Sequence, residues 1–256
     1  MTVPLPDHAL LRIAVDGPAV AAFTTRRGGV SAGPFASLNL GRSGGGDDPE
    51  AVFANRRAVC AAMGVDPGDA MMLTQVHGAD VHRVAEGDTP RGRGVGTFDG
   101  WPEADALVCD RPGVLLAVLA ADCVPVLLWH REHPRVGAVH AGWRGLVGGV
   151  VENAVAAVGD PGRLGAAVGP CIGPCHYPVS ADVRDTFAGR FGDAVVRGEA
   201  VDLRAATRVA LTTAGVSAAA ITDAGGCTAC HADVFYSHRA SGGTTGRHAG
   251  LVVARG

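Results

Sequence analysis

This sequence predicts a mixed-sheet α+β fold, and three observations carry the prediction. Short apolar runs at residues 107–108, 114–119, 124–129 and 136–139 form a strand-rich block whose members pair locally. Helical segments fall between strands irregularly rather than in a regular βαβ alternation. The chain has 256 residues, 47% of them hydrophobic, enough for a substantial core, and no repeat or long linker divides it. A single domain over residues 1–256 is therefore expected.

The elements follow in order. Residues 19–24 read as a strand feeding a Gly- and Arg-rich loop, 26–41. A helix follows, with Asp47 or Asp48 as N-cap, Pro49 at the first helical position and Gly64 as the stop. Its apolar Val52, Val59 and Met63 keep helical spacing. Residues 86–101, with mixed charge and no apolar periodicity, read as a surface loop or lid. A helix is expected from Gly145 to Gly159, then a strand at 166–168 and a tight turn at 169–175. Two more helices are expected, from Ser180 to Phe191 and from Asp202 to Ala214, and then strands and turns alternating to the end.

Composition narrows the function classes. A net charge of −3 gives no support to nucleic-acid binding. The chain has no lysine, which excludes Schiff-base and P-loop lysine chemistry. Residues 1–7 lack a basic n-region and an apolar h-region, so a cytoplasmic location is expected. The longest apolar stretch, 113–129, is broken by Asp122 and Pro125 and is shorter than the ~20 residues that span a bilayer. Seven cysteines, an odd number, fit thiols or metal ligands better than a disulfide framework.

Chemistry concentrates where apolar runs end. Ala120-Ala121-Asp122-Cys123 follows 114–119, His140-Ala141-Gly142-Trp143-Arg144-Gly145 follows 136–139, and Gln75-Val76-His77-Gly78 follows 71–73. Soft thiolate and imidazole donors suit zinc, and three protein ligands leave the open fourth position of a catalytic site. His77, Cys123 and His140 are thus candidate ligands; the competing reading is three unrelated buried side chains. Asp122 either orients a ligand imidazole or caps the strand corner. Arg144, beside the N–H groups of a helix start, either binds phosphate or bridges to a carboxylate while the glycines allow close packing. Arg26 and Asn39 are candidates to complete an anion and sugar pocket, with Gln75 a further substrate-binding candidate. Cys171, Cys175, Cys227 and Cys230 make either a four-thiolate zinc site or a set of free thiols. His130 and His133 read as a solvated turn.

Seven motifs, in order, resemble the YfiH family: Thr25-Arg26-x-Gly28-Gly29-Val30-Ser31, Ser37-Leu38-Asn39-Leu40-Gly41, Gln75-Val76-His77-Gly78, Ala121-Asp122-Cys123-Val124-Pro125, His140-Ala141-Gly142-Trp143-Arg144-Gly145, Gly169-Pro170-x-Ile172-Gly173 and Thr245-Gly246-Arg247. Members of that family carry the names laccase-domain protein, polyphenol oxidase, peptidoglycan editing factor and purine nucleoside phosphorylase. The resemblance implies a four-layer α/β/β/α sandwich with zinc on His77, Cys123 and His140. It also implies phosphorolysis of adenosine, inosine, guanosine and methylthioadenosine, and deamination of adenosine. Asp122 and Arg144 are the catalytic candidates, for proton transfer or ligand support and for phosphate binding respectively. The implied partners are a nucleoside and phosphate, with neither nucleic acid nor membrane, for a monomer or small homo-oligomer. Two departures stand out: Arg239 is followed by Ala240 instead of a second arginine, and the 86–101 loop is long.

Three other readings compete. Copper-dependent phenol oxidation suits the family's older name, but ten histidines without an H-x-H pair offer poor ligands for several coppers. Cys123 with His140 as base would make a thiol hydrolase. A non-catalytic factor acting on cell-wall precursors is the third.

Overall fold

The computed structural model describes residues 5–41, 46–88 and 95–256. In chain order the elements are β1 (Leu10–Ile13), β2 (Ala19–Thr24), α1 (Pro49–Ala62), β3 (Ala70–Met71), β4 (Val81–Arg83), β5 (Ala106–Cys109), β6 (Leu115–Ala120), β7 (Val124–His130) and β8 (Val136–Ala141). Then come α2 (Trp143–Gly148), α3 (Val150–Val158), β9 (Leu164–Val168), α4 (Ala181–Phe191), β10 (Val196–Arg197), β11 (Ala200–Val201), α5 (Leu203–Thr213), β12 (Ile221–Asp223) and β13 (His248–Ala254).

Two mixed sheets stack face to face. The first runs β1-β2-β13-β6-β3, antiparallel except for the β6–β3 pair. The second runs β12-β9-β7-β8-β5-β4, parallel only at its two outer pairs. Strand alternation separates two cores. In β7, Leu127 and Trp129 face the first sheet while Val126 and Leu128 face α2 to α5. In β6, Leu115, Ala117 and Leu119 turn outward to Val59 and Cys60 of α1. The layer order is therefore α1, first sheet, second sheet, helices α2 to α5.

Local chemistry explains most element ends. The Asp48 carboxylate accepts the Glu50 N–H at 3.1 Å and so caps α1, which closes at Met63 before Gly64 at φ +67°. Asp202 caps α5 by accepting from Ala205 N–H at 3.0 Å. The single helix expected from Gly145 to Gly159 is two helices: Gly149 takes φ +89°, which ends α2 and starts α3. Ser180 sits at the N-cap of α4 without a side-chain capping bond.

Three further expectations are corrected. The C-terminal strand β13 is central in the first sheet, while residues 227–247 are turns rather than alternating strands. Of the two readings for 86–101, residues 95–101 form an irregular loop with exposed positions but not a free lid: Val95 and Trp101 are buried and Arg56 donates to the carbonyls of Val95 and Thr97, while residues 89–94 lie outside the described residues. His130 is buried at the end of β7, where its Nδ1 accepts the N–H groups of Glu132 and His133 at 3.1 Å, so only the turn itself is solvated. Among the described residues no helix is long and apolar enough to cross a membrane.

The sheets pack closely where Phe23, Pro125, Gly169 and Gly250 meet. A Cβ on Gly169 would fall inside the Phe23 ring contact and 2.8 Å from Pro125 Cγ. Gly169→Ala should therefore lower unfolding free energy by about 1–3 kcal/mol in denaturant titration, the usual cost of overpacking; an unchanged midpoint would show that the sheets slide apart freely.

Candidate functional site

His77, Cys123 and His140 converge at one end of the two-sheet stack. Cys123 is the residue before β7 and His140 lies in β8, which pairs with it, so the hairpin fixes their separation. His77 comes from the loop between β3 and β4. The three donor atoms all lie within 4.8 Å of one another, and the two imidazoles meet nearly edge to face, 4.9 Å between centroids. His140 is buried, Cys123 half-buried and His77 exposed. The glycines of the motif between β8 and α2 are space-makers here. A Cβ on Gly142 would lie 3.0 Å from His77 Cδ2 and 3.2 Å from Cys123 Sγ, and one on Gly145 would lie 2.8 Å from the Gly78 carbonyl.

The carboxylate that organises these donors is Asp105, which the sequence reading did not single out. It is fully buried at the start of β5. Its Oδ1 accepts His140 Nδ1–H at 2.8 Å and His77 N–H at 3.0 Å, and its Oδ2 accepts the N–H groups of Gly78 at 2.6 Å and Val76 at 3.1 Å. Three successive backbone donors thus wrap one anion. His77 is held at φ +60°, an uncommon conformation for a side-chain-bearing residue. The bond to His140 Nδ1 leaves Nε2 with its lone pair for a metal, the usual carboxylate–histidine–metal relay. Of the two readings open for Asp122, the ligand-orienting one falls to Asp105. Asp122 Oδ1 instead accepts from Thr228 Oγ1 at 2.6 Å and its Oδ2 from Arg239 N–H at 2.7 Å, tying two loops together.

Charges are redistributed accordingly. Burial pushes the Cys123 thiol up, but His140 and His77 overcome that and bring it down to about 6. Burial pushes His140 down, but the Cys123 thiolate and the Asp105 carboxylate raise it to about 9. Burial opposes ionisation of Asp105 too, yet His140 and the Gly78 and Val76 N–H groups hold it below the usual carboxylate range. Without metal the site is thus a thiolate–imidazolium pair; with metal, the same thiolate and imidazoles are a fitting donor set for zinc.

A cavity of about 530 Å³ opens over the donors, a volume suited to a nucleoside-sized ligand. Arg144, Arg239 and Arg247 line it with Tyr177, His238 and Gln75. Arg144 is exposed, lies over the Trp143 ring at 4.5 Å, and pairs with no carboxylate among the described residues. Tyr177 is pushed up to about 12 by burial and the neighbouring thiolate, so it stays protonated. Gln75 lines the cavity but spends both ends of its amide on the Leu119 backbone, at 2.8 Å each.

Arg26 and Asn39 do not line this cavity, which corrects their expected place in an anion and sugar pocket. Arg26 donates to the carbonyls of Ala36 and Ala232 and stacks on Tyr236. Asn39 is fully buried and accepts the N–H groups of Gly41 and Arg247, so it shapes the wall through those neighbours. The arginines at 239 and 247 were missed as cavity residues; the signal was that Arg247 closes the quoted motif Thr245-Gly246-Arg247 and Arg239 precedes the departure at Ala240.

Fold and site together define a two-sheet α+β protein with a thiolate–imidazole centre able to hold a metal under a cationic cavity. The chain belongs to the YfiH family: the family model described as multi-copper polyphenol oxidoreductase laccase matches residues 20–255. A purine nucleoside phosphorylase of Deinococcus radiodurans is 43% identical over 234 residues, covering 88% of this chain and 85% of the relative. Purine nucleoside phosphorylase YlmD of Geobacillus stearothermophilus is 38% identical over 259 residues, covering 93% and 90%. The crystal structure of YlmD from that organism superposes with a TM-score of 0.88 at 35% identity, covering 100% of this chain and 99% of the other. That of Bacillus licheniformis YfiH gives 0.84 at 31%, covering 93% of each.

Two outcomes test this electrostatic frame. Asp105→Asn should weaken zinc binding by about 10–100-fold in chelator competition, because the amide cannot accept four donors; unchanged affinity would remove Asp105 from the site. In chelator-treated protein, the lowered Cys123 pKa contributes stability that is complete above the ordinary thiol value and lost as pH falls through about 6. The raised His140 pKa contributes stability present below the ordinary imidazole value and lost as pH rises through about 9. The stability difference between metal-free wild type and Cys123→Ser should therefore peak between those limits, and a pH-independent difference would contradict the ion pair.

Proposed function

We propose that this chain is a cytoplasmic, zinc-dependent purine nucleoside enzyme. In this reading it cleaves adenosine, inosine, guanosine and methylthioadenosine with phosphate, releasing the base and a ribose 1-phosphate, and it also deaminates adenosine. The observation that carries the reading is the juxtaposition of the His77–Cys123–His140 donors with three cavity arginines in a nucleoside-sized space. The relatives named purine nucleoside phosphorylase support the phosphorolysis in this reading.

His77, Cys123 and His140 would hold the ion, and when bound zinc supplies Lewis acidity at the cavity floor. Arg144, without a carboxylate partner among the described residues and braced on Trp143, is placed to bind phosphate by its planar fork. Arg239 and Arg247 add positive charge on the same cavity. In phosphorolysis the phosphate attacks C1′ of the ribose while the purine leaves, and a donor at the purine ring nitrogen eases departure. Tyr177, kept protonated, is the wall residue suited to that hydrogen bond. Copper oxidation is the weaker reading: the donor groups among the described residues are one thiolate with two imidazoles and one thiolate-rich cluster, neither a histidine-rich multicopper arrangement.

His140→Ala should lose the zinc of the cavity centre and purine release from inosine together. Arg144→Ala should keep its zinc and lose at least ~10-fold in phosphate-dependent turnover, as expected when a charge-assisted contact worth about 1.5–3 kcal/mol is removed. Chromatography of the released base, with and without phosphate, reads both variants. Full phosphorolysis by Arg144→Ala would withdraw the phosphate assignment, and equal activity in zinc-free protein would overturn the metal reading.

A further inference from the structure

A second set of soft donors lies outside the cavity floor. Cys175 and His176 belong to the short turn Pro174–His176, while Cys227 and Cys230 bracket a tight turn more than fifty residues later. His176 Nδ1 lies 3.3 Å from Cys175 Sγ, 3.5 Å from Cys230 Sγ and 3.8 Å from Cys227 Sγ. Cys175 and Cys230 place their sulfurs 3.5 Å apart, and all four donor atoms fall within 4.8 Å of one another. A tetrahedral zinc ion with bonds of about 2.3 Å to sulfur and 2.0–2.1 Å to nitrogen needs sulfurs about 3.8 Å apart and sulfur–nitrogen gaps of about 3.6 Å. The sulfur–nitrogen gaps of 3.3–3.8 Å and the Cys175–Cys230 sulfur gap of 3.5 Å are close to those spacings, whereas a disulfide needs sulfurs about 2.05 Å apart.

The backbone supports the same reading. Cys227 Sγ accepts the Gly173 N–H at 3.1 Å and also those of Ala229 and Cys230, so main-chain dipoles converge on its sulfur. Gly173 has no side chain where a Cβ would press 3.2 Å from Cys227 Cβ and 3.3 Å from Cys175 Sγ. Cys171, the member that sequence spacing suggested, is instead buried beside Arg204 and takes no part.

We propose that Cys175, His176, Cys227 and Cys230 form a structural zinc site, separate from the cavity centre. Three thiols give up their protons, the neutral imidazole supplies Nδ1, and the closed four-ligand shell leaves no position for substrate. The ion staples two otherwise irregular segments that make one cavity wall. Tyr177 directly follows His176, and Thr228, between the two turn cysteines, donates to Asp122. Arg239 donates to the His176 carbonyl at 3.3 Å and covers the Tyr177 ring.

Zinc per chain, measured by plasma mass spectrometry on reduced full-length protein dialysed against a weak chelator, should be about two in the wild type. Cys230→Ser and Cys175→Ser should each lose one equivalent while the zinc that depends on His140 remains. Cobalt-loaded His140→Ala should keep the intense thiolate-to-metal charge-transfer band of a multi-thiolate site, which the His140→Ala, Cys230→Ser double variant should lack. A zinc equivalent that survives His140→Ala but not Cys230→Ser would support this site even if the cavity centre held no metal. A single zinc lost on His140→Ala, or a native chain two mass units light with Cys175 and Cys230 crosslinked, would overturn the proposal.

Discussion

The buried carboxylate of Asp105 is the constraint on which the rest of the site depends. One side chain accepts three consecutive N–H groups of the His77 loop and the Nδ1–H of His140. It therefore sets the position of one donor's backbone and the tautomer of another's ring in a single act. A charge buried that deeply is tolerable only when all its acceptors are used, and removing partners from such a group commonly costs about 3–5 kcal/mol. The same bonds that satisfy Asp105 also hold His77 in its left-handed conformation.

The sheets supply the rigidity that makes this precision useful. Asp105, Cys123 and His140 sit at the starts or ends of neighbouring strands β5, β7 and β8, whose register is fixed by the ladder and by burial on both faces. Gly142 and Gly145 then let α2 come down onto the donors without colliding with them. Where regular structure stops, as in residues 169–177 and 224–247, side chains take over: Asp122 reaches Thr228 and the Arg239 backbone, and Asn39 reaches Arg247. The cavity is thus half sheet and half stitched loop, and its cationic lining comes mainly from the stitched half.

Much of this was legible in the residues. Cys123 and His140 follow apolar runs, and strand ends are where a sheet presents side chains in register. Pro49, Asp48 and Gly64 mark α1 because capping is local chemistry. Asp105 was not legible as an organiser, since its partners lie roughly thirty residues away in either direction; the available signal was an ionisable residue flush against the apolar run Ala106-Leu107-Val108-Cys109. Arg26 and Asn39 misled because polar groups in a motif-rich loop look exposed, while folding turns them inward onto loop carbonyls and amides. The cysteine pairs were visible, but spacing favoured Cys171 over His176, a choice that only the direction of the 169–177 turn decides.

The most direct test of the account is the anomalous difference map of zinc-loaded crystals collected at the zinc edge. A peak bonded to His77, Cys123 Sγ and His140 Nε2 is expected, with Asp105 on His140 Nδ1 and the fourth position facing the cavity. A map with no zinc at those three residues, or with a fourth protein side chain closing the shell, would contradict it.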